Sequence, residues 1–266
     1  MIGSISRGRA LSWVAAAALI AVPLSAAHAM RVSPMVVEIL DRGSGAVARV
    51  EVENINTANL PFETRITRLD YDDAGNLVEV PADADFLVFP PQGNLPPKAR
   101  QVIRVQWVGS PLQASQGYYL TVKQLPVQLD PLAGSETGAQ VQIVYNMKAL
   151  IAVAPQGAEP KVEVVSAVPT TLETPKAADG TGGDTVPGVE IRVRNTGTRH
   201  AFMAGPNWTI QGTGLDGKPQ VVEVSKDDLN RDIGVGYLAA LKGDRTFKVP
   251  TGKAFANAPI KVRFSK

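Results

Sequence analysis

Between Ala46 and Asn54 the chain alternates cleanly, with Ala48, Val50 and Val52 on one side and Arg49, Glu51 and Glu53 on the other. Successive side chains of a strand point to opposite faces, so this segment reads as a strand with one apolar and one wet face. Residues 101–108 repeat the pattern, setting Ile103, Val105 and Trp107 against Arg104 and Gln106, and residues 118–126 continue it as far as Pro126. Two further strands flank Asp72-Asp73-Ala74-Gly75-Asn76, whose short polar residues suit a hairpin turn. After residue 160 the alternation restarts in KVEVVSAV, GVEIRVRN, NWTIQGT, QVVEVS, RTFKVP and IKVRFSK. Beyond the first 29 residues, no convincing helical stripe extends over ten or more positions.

The two series of strands are separated by APQGAEP, residues 154–160, with two prolines and a glycine. Each half holds about seven short strands punctuated by turn signals, the pattern of an immunoglobulin-like sandwich. The expected fold is therefore all-β, with two immunoglobulin-like β-sandwich domains over residues 30–155 and 156–266. A short, fairly stiff linker should join them and leave a cleft suited to a ligand. Residues 173–188, poor in apolar side chains and rich in Gly, Pro and Asp, are expected to form a long exposed loop.

The N-terminus changes the charge picture. MIGSISRGR is basic, Ala10 to Ala21 is almost entirely apolar, and Ala27-His28-Ala29 has the small-x-small form of a cleavage site. Residues 1–29 are thus expected to be a secretory signal peptide, cleaved after Ala29, and the mature chain to be exported. Arg7 and Arg9 are the only charges in that segment, so the 27 basic and 25 acidic residues of the whole chain balance once it is removed. No basic cluster interleaved with aromatics occurs, which argues against a nucleic-acid partner. Cysteine is absent, so disulfides cannot staple either domain.

Catalytic material is scarce. The mature chain has one histidine, His200, expected to be a surface loop residue, and no His/Asp/Glu cluster has metal-ligand spacing. The expectation is a protein that is not an enzyme, with no catalytic residues, metal or cofactor.

The run VQIVYNMKALIAVAP, residues 141–155, needs more than a sandwich strand. Val141, Ile143, Tyr145 and Met147 form one apolar row, and Lys148 and the closing Pro155 are set into the same strand. The other face, Gln142, Val144, Asn146, Lys148 and Leu150, reads as apolar enough to supply part of the domain's own core. A strand apolar on both faces suggests that something covers the second one.

Several stretches resemble the PapD-like periplasmic chaperones of pilus and fimbrial assembly. DFLVFPPQGNLPPKARQVIRVQWVG, residues 85–109, is similar to that family's strand, double proline and basic alternating strand. YYLTVKQLPVQL resembles the strand ending in a hydrophobic-Pro pair, and the 141–155 run resembles the last strand of the N-terminal domain. GYLAALKGDRTFKVP, residues 236–250, is similar to a strand pair near the end of these proteins. The resemblance implies a boomerang-like pair of domains in the periplasm that cap pilin-like subunits and deliver them to an outer-membrane usher without ATP. It implies that Val141, Ile143, Tyr145 and Met147 are donated to a subunit as a missing strand. It also implies that Lys148 binds the subunit's terminal carboxylate together with an arginine of the first strand.

Departures from the family pattern point to a divergent or archaic-type branch. Lys148 stands seven residues before Pro155, where the family pattern has five, although both offsets face the same way. The first strand has Met35, Val36 and Val37 where the arginine is expected, leaving Arg31 as a weak substitute. Ser115-Gln116 also replaces an acidic-hydroxyl pair. An exposed apolar strand edge suggests self-association of the free form. The competing reading is an exported binding or adhesive module, which should carry exposed aromatics in its loops.

Overall fold

The computed structural model describes residues 30–72, 76–126, 143–174 and 183–265. The expected signal peptide, Val141 and much of the expected 173–188 loop lie outside the described residues.

Among the described residues the first half carries ten strands: β1 Met30–Ser33, β2 Val36–Leu40, β3 Val47–Asn54, β4 Leu60–Tyr71, β5 Leu77–Pro81, β6 Phe86–Phe89, β7 Gln92–Leu95, β8 Arg100–Trp107, β9 Gln116–Gln124 and β10 Asn146–Ala154. They form two sheets, ordered β1-β3-β8-β6 and β2-β10-β9-β4-β5, with β7 also paired to β4. The alternation read from sequence sets the facing sides: Val50, Val52, Ile103 and Val105 meet Ile66, Leu120, Ala149 and Ile151 in one fully buried core. Phe86 meets Trp107 and Tyr118 edge-on at centroid distances of 5.1 and 4.9 Å, and the Trp107 and Tyr118 rings lie tilted at 5.5 Å, which closes that core. β4 and β5 pair with Tyr71 opposite Leu77, the Asp72 amide donates to the Asn76 carbonyl, and residues 73–75 of the expected turn lie outside the described residues.

The second half contains β11 Val162–Glu173, β12 Thr185–Asn195, β13 Ala201–Phe202, β14 Asn207–Thr213, β15 Pro219–Val224, β16 Tyr237–Leu238, β17 Gly243–Pro250 and β18 Lys261–Ser265. Sheets β11-β12-β17 and β15-β14-β18 enclose a separate core around Ile191, Val193, Trp208, Ile210 and Phe247, and a short β13-β16 ribbon lies beside them. The fold is thus all-β and immunoglobulin-like in two parts, as the alternation required.

Three local expectations are corrected. A short helix, α1 (Lys226–Ile233), lies where no helix was read; Ser225 caps it by accepting from the Asp228 amide. The segment is shorter than the ten-position window, yet Leu229 and Ile233 share one face and Ser225 with Asp228 has the form of a capping box. The 173–188 loop is narrower than expected, because β11 runs to Glu173 and β12 resumes at Thr185 with Glu173 opposite Thr185. In residues 236–250, β16 and β17 do not pair with each other: β16 pairs with β13 and β17 with β12.

The two halves meet through a third apolar cluster, in which Leu69, Leu150, Ala152 and Tyr237 are buried and Val36, Tyr119 and Phe202 pack against them. Gly117 makes the approach possible, since a Cβ there would lie 2.7 Å from the Tyr237 hydroxyl. Polar contacts reinforce the joint: the Ser115 amide donates to the Thr198 carbonyl at 2.8 Å, and Arg199 Nη2 donates to Glu38 Oε1 at 2.9 Å.

Candidate functional site: the strand edge and the cleft

β10 is the element on which the candidate site is built. It pairs with β9 from Asn146 to Val153, but with β2 only from Leu150 to Ala154. The Leu150 amide is donated to the Met35 carbonyl at 2.8 Å, which marks where β2 takes over the edge. Backbone groups two residues apart face the same way along a strand, so those of Asn146 and Lys148 face that edge as well. Among the described residues no strand pairs with them. Above this point β10 is an edge strand; below it, the strand is covered on both sides.

Its side chains divide by parity. Ala149, Ile151 and Val153 are buried in the first domain's core, and Tyr145 and Met147 continue the same row as half-buried side chains packed on the core's open end. Ile143 follows at 66% exposure. On the opposite face Asn146 and Lys148 are exposed, Val144 is 41% exposed, and Leu150 and Ala152 enter the interdomain cluster. The expectation that this second face supplies the domain's own core is therefore overturned. The row from Tyr145 to Val153 faces that core, while the second face serves the cleft and the joint. Of the four residues expected to be donated, the described ones are Ile143, Tyr145 and Met147, and they differ in character: Ile143 is presented to solvent, whereas Tyr145 and Met147 already lean on their own core.

Below the open edge lies a cavity of about 850 Å³ between the domains. Met35, Val36 and Leu150 line one side, Val235 and Tyr237 the other, and Lys148, Lys242 and Arg245 supply cations. Lys148 Nζ donates to Glu79 Oε1 at 2.5 Å and sits 5.5 Å from the centre of the Tyr119 ring. Glu79 also accepts from Thr67 Oγ1 at 2.9 Å, and the bond from Lys148 leads in holding its carboxyl below the usual range. Sequence reasoning missed Glu79 because it lies on β5, 69 residues away along the chain.

Arg31 is not brought to Lys148. It stands on β1 in the other sheet, where it bonds Glu53 on β3. The first-strand residues that do line the cleft, Met35 and Val36, are uncharged.

His200 is also corrected, from a surface loop residue to one of the most buried polar groups at the joint. Its ring stacks on Tyr237 and meets Phe202 edge-on. Nε2 lies 2.8 Å from Glu38 Oε1, but neither ring nitrogen makes a well-aligned hydrogen bond. Burial holds its pKa below the ordinary 6.5, while Glu38 pulls the other way.

Two further residues carry structure that the sequence reading did not single out. Asn54 and Asn195 are fully buried at the ends of β3 and β12, one in each sandwich. Asn195 accepts from the Lys161 and Gly197 amides and donates to the Arg199 and Ala239 carbonyls, so one side chain ties the linker to the loop that carries His200. Asn54 accepts from the Asn56 amide and donates to the carbonyls of Ala58 and Leu95.

Two immunoglobulin-like sandwiches, a strand with half of its edge open and a cleft lined from both sides define a two-domain β-sandwich protein. Residues 32–159 match the family described as pili and flagellar-assembly chaperone, PapD N-terminal domain. The first sandwich therefore carries the PapD N-terminal domain, and the likeness of the whole chain to solved structures is one of fold. Similar solved structures include the class 5 fimbriae chaperone CfaA, at 12% identity and TM-score 0.50 over 90% of this chain and 99% of that one. The SafB chaperone of Salmonella enterica, in complex with the SafA pilin, is 14% identical with TM-score 0.49 over 89% and 97%. The CsuC chaperone of the archaic Csu pili of Acinetobacter baumannii, in complex with CsuE, is 12% identical with TM-score 0.48 over 89% and 92%. A comparison with curated proteins finds no match.

Proposed function

We propose that this protein is a periplasmic chaperone that caps pilin-like subunits by lending them β10 and the residues before it, then passes them to an outer-membrane usher. The observation that carries this reading is the open edge of β10 at Asn146–Ala149, with Ile143 exposed on the row that leads into it. An unpaired edge beside apolar side chains is a template for another strand. Filling a groove in an incomplete sandwich would bury side chains such as Ile143 at about 1.5–3 kcal/mol each. Folding of the subunit onto this edge supplies the free energy, so no nucleotide is required.

The topology also suggests the direction of the added strand. β2 occupies the edge from Leu150 onward, so a partner strand must stop beside Met35, above the cleft. What stops there is either an amino or a carboxyl end. The cleft's cations favour a carboxylate, and a carboxyl end at that place requires a strand running parallel to β10. On this reading Lys148 is the anchor closest to the edge.

Ile143→Asp is the cleanest test, because Ile143 is exposed and its loss leaves the domain core intact. The tagged mature chain and this variant would be used to capture proteins from periplasmic extract, with folding checked by circular dichroism. We expect the parent to retain a small secreted β-rich protein and the folded variant to lose it. Equal capture by both would overturn strand donation.

A further inference from the structure

We propose that β18 is a second open edge, in the second sandwich, and that it accepts an extended acidic segment of a partner protein whose alternate apolar side chains close that sandwich's core. β18 and β10 lie in different sandwiches, so such binding would be independent of strand donation.

Among the described residues β18 pairs only with β14, with Ser265 opposite Asn207 and Lys261 opposite Gln211, so its other side offers unpaired backbone groups. The core is also incomplete along that side. Trp208 and Ile210 of β14 are fully buried, whereas the residues opposite them on β18, Phe264 and Val262, are only half-buried. Beside Phe264 opens a cavity of about 690 Å³, walled by Val162, Phe202, Met203, Pro206 and Phe264 itself. A large apolar side chain on the inner face of an added strand would stand there. The edge strand of the facing sheet, β11, is a poorer template. Its register with β12 slips between Val164 and Ser166, and Pro169 within it has no N–H to offer.

Charge selects the partner. Val262 and Phe264 pack on the core, which leaves Lys261, Arg263 and Ser265 on the outer face, all three exposed. Neither Lys261 nor Arg263 makes an ion pair among the described residues, and on the paired side they stand opposite Gln211 and Thr209, which are uncharged. Glu223, the acid of the same row, lies one strand further away on β15. Lys226 lines the cavity, is exposed and is likewise without an ion pair among the described residues. The acid lining that cavity, Glu38, is already bonded by Arg199. A strand laid against β18 would place its outward side chains directly beside Lys261 and Arg263, where opposite charge stabilises the pairing and like charge opposes it. The cations that guard this edge against basic strands thus specify an acidic one.

The test uses the mature full-length chain and a synthetic nine-residue peptide alternating Glu with Val, one Val replaced by Phe and both ends capped. The same peptide with Lys in place of Glu serves as its counterpart. Binding would be followed by calorimetry, and its place by hydrogen exchange, for the parent and for Lys261→Glu/Arg263→Glu together. Both positions are exposed, so the variant should fold as the parent does. The parent is expected to bind the acidic peptide about tenfold more tightly than the basic one, with slower exchange in residues 261–265. The double variant should reverse that preference. If the acidic peptide protects residues 146–149 instead, it has found the edge of β10 and the assignment to β18 is wrong. The assignment also fails if the peptide binds without slowing exchange at 261–265, if charge reversal leaves both affinities unchanged, or if neither peptide binds. Exchange at 261–265 that slows with protein concentration alone would show that a second copy covers this edge, and would overturn the acidic partner.

Discussion

At the scale of single residues, the buried polar groups decide more than the exposed ones. His200 is enclosed at the joint with both ring nitrogens poorly paired, and its pKa is lowered first by that burial. The unfolded chain takes up a proton near pH 6.5 while the folded chain resists it, so stability falls as pH drops below that value. Urea denaturation between about pH 7.5 and 5.5 should show this slope, and His200→Phe, which keeps a ring against Tyr237, should flatten it. A parent stability unchanged over that range would contradict the sign. Asn195 makes a second prediction. Asn195→Ala strips partners from buried backbone groups and should cost about 1–3 kcal/mol in denaturant unfolding, more than an exposed substitution such as Asn146→Ala. Neither residue announces itself in the sequence. RNTGTRH looks like an ordinary turn until the linker and the first domain fold over it, because what buries it comes from distant parts of the chain.

At the scale of elements, β10 serves different neighbours along its length, and its substitutions should divide accordingly. Ile151 is fully buried, so Ile151→Ala should cost about 2–5 kcal/mol. Ile143→Asp should leave the thermal midpoint nearly unchanged, and Tyr145→Asp should fall between the two because Tyr145 packs on the core's open end. A midpoint series in any other order would mean that the 143–147 segment is core rather than edge. The alternation of residues 141–155 was legible, but which face serves which neighbour was not. Parity in a sequence separates two faces without saying what lies against either. Helix α1 shows the complementary limit: its cap and two apolar positions were present, but eight residues give little periodicity to detect. Ser225→Ala should lower stability by about 1 kcal/mol through loss of the cap.

At the scale of the whole molecule, the relation between the sandwiches depends on close approach rather than on one bond. Tyr237 packs against Leu69 and Leu150, and Gly117 leaves room for its hydroxyl. Gly117→Val should wedge the domains apart, which would appear as a larger radius of gyration in X-ray scattering and as separated thermal transitions. An unchanged radius would show that the joint absorbs the bulk. The tryptophans bear on the adhesive alternative, since Trp107 and Trp208 are both buried strand residues and offer no stacking surface.

The sequence by itself determined the strand faces, the two all-β halves and the resemblance to pilus chaperones, because alternation, turn residues and short motifs are local and survive being read one window at a time. Tertiary structure alone decided that Lys148 meets Glu79, that Arg31 is spent on the other sheet, that His200 is buried and that β2 covers only half of β10's edge. Each of these pairs or covers residues far apart in the chain. Side-chain alternation records which way a residue points, whereas its partner is set by sheet order, register and the packing of one sandwich on the other.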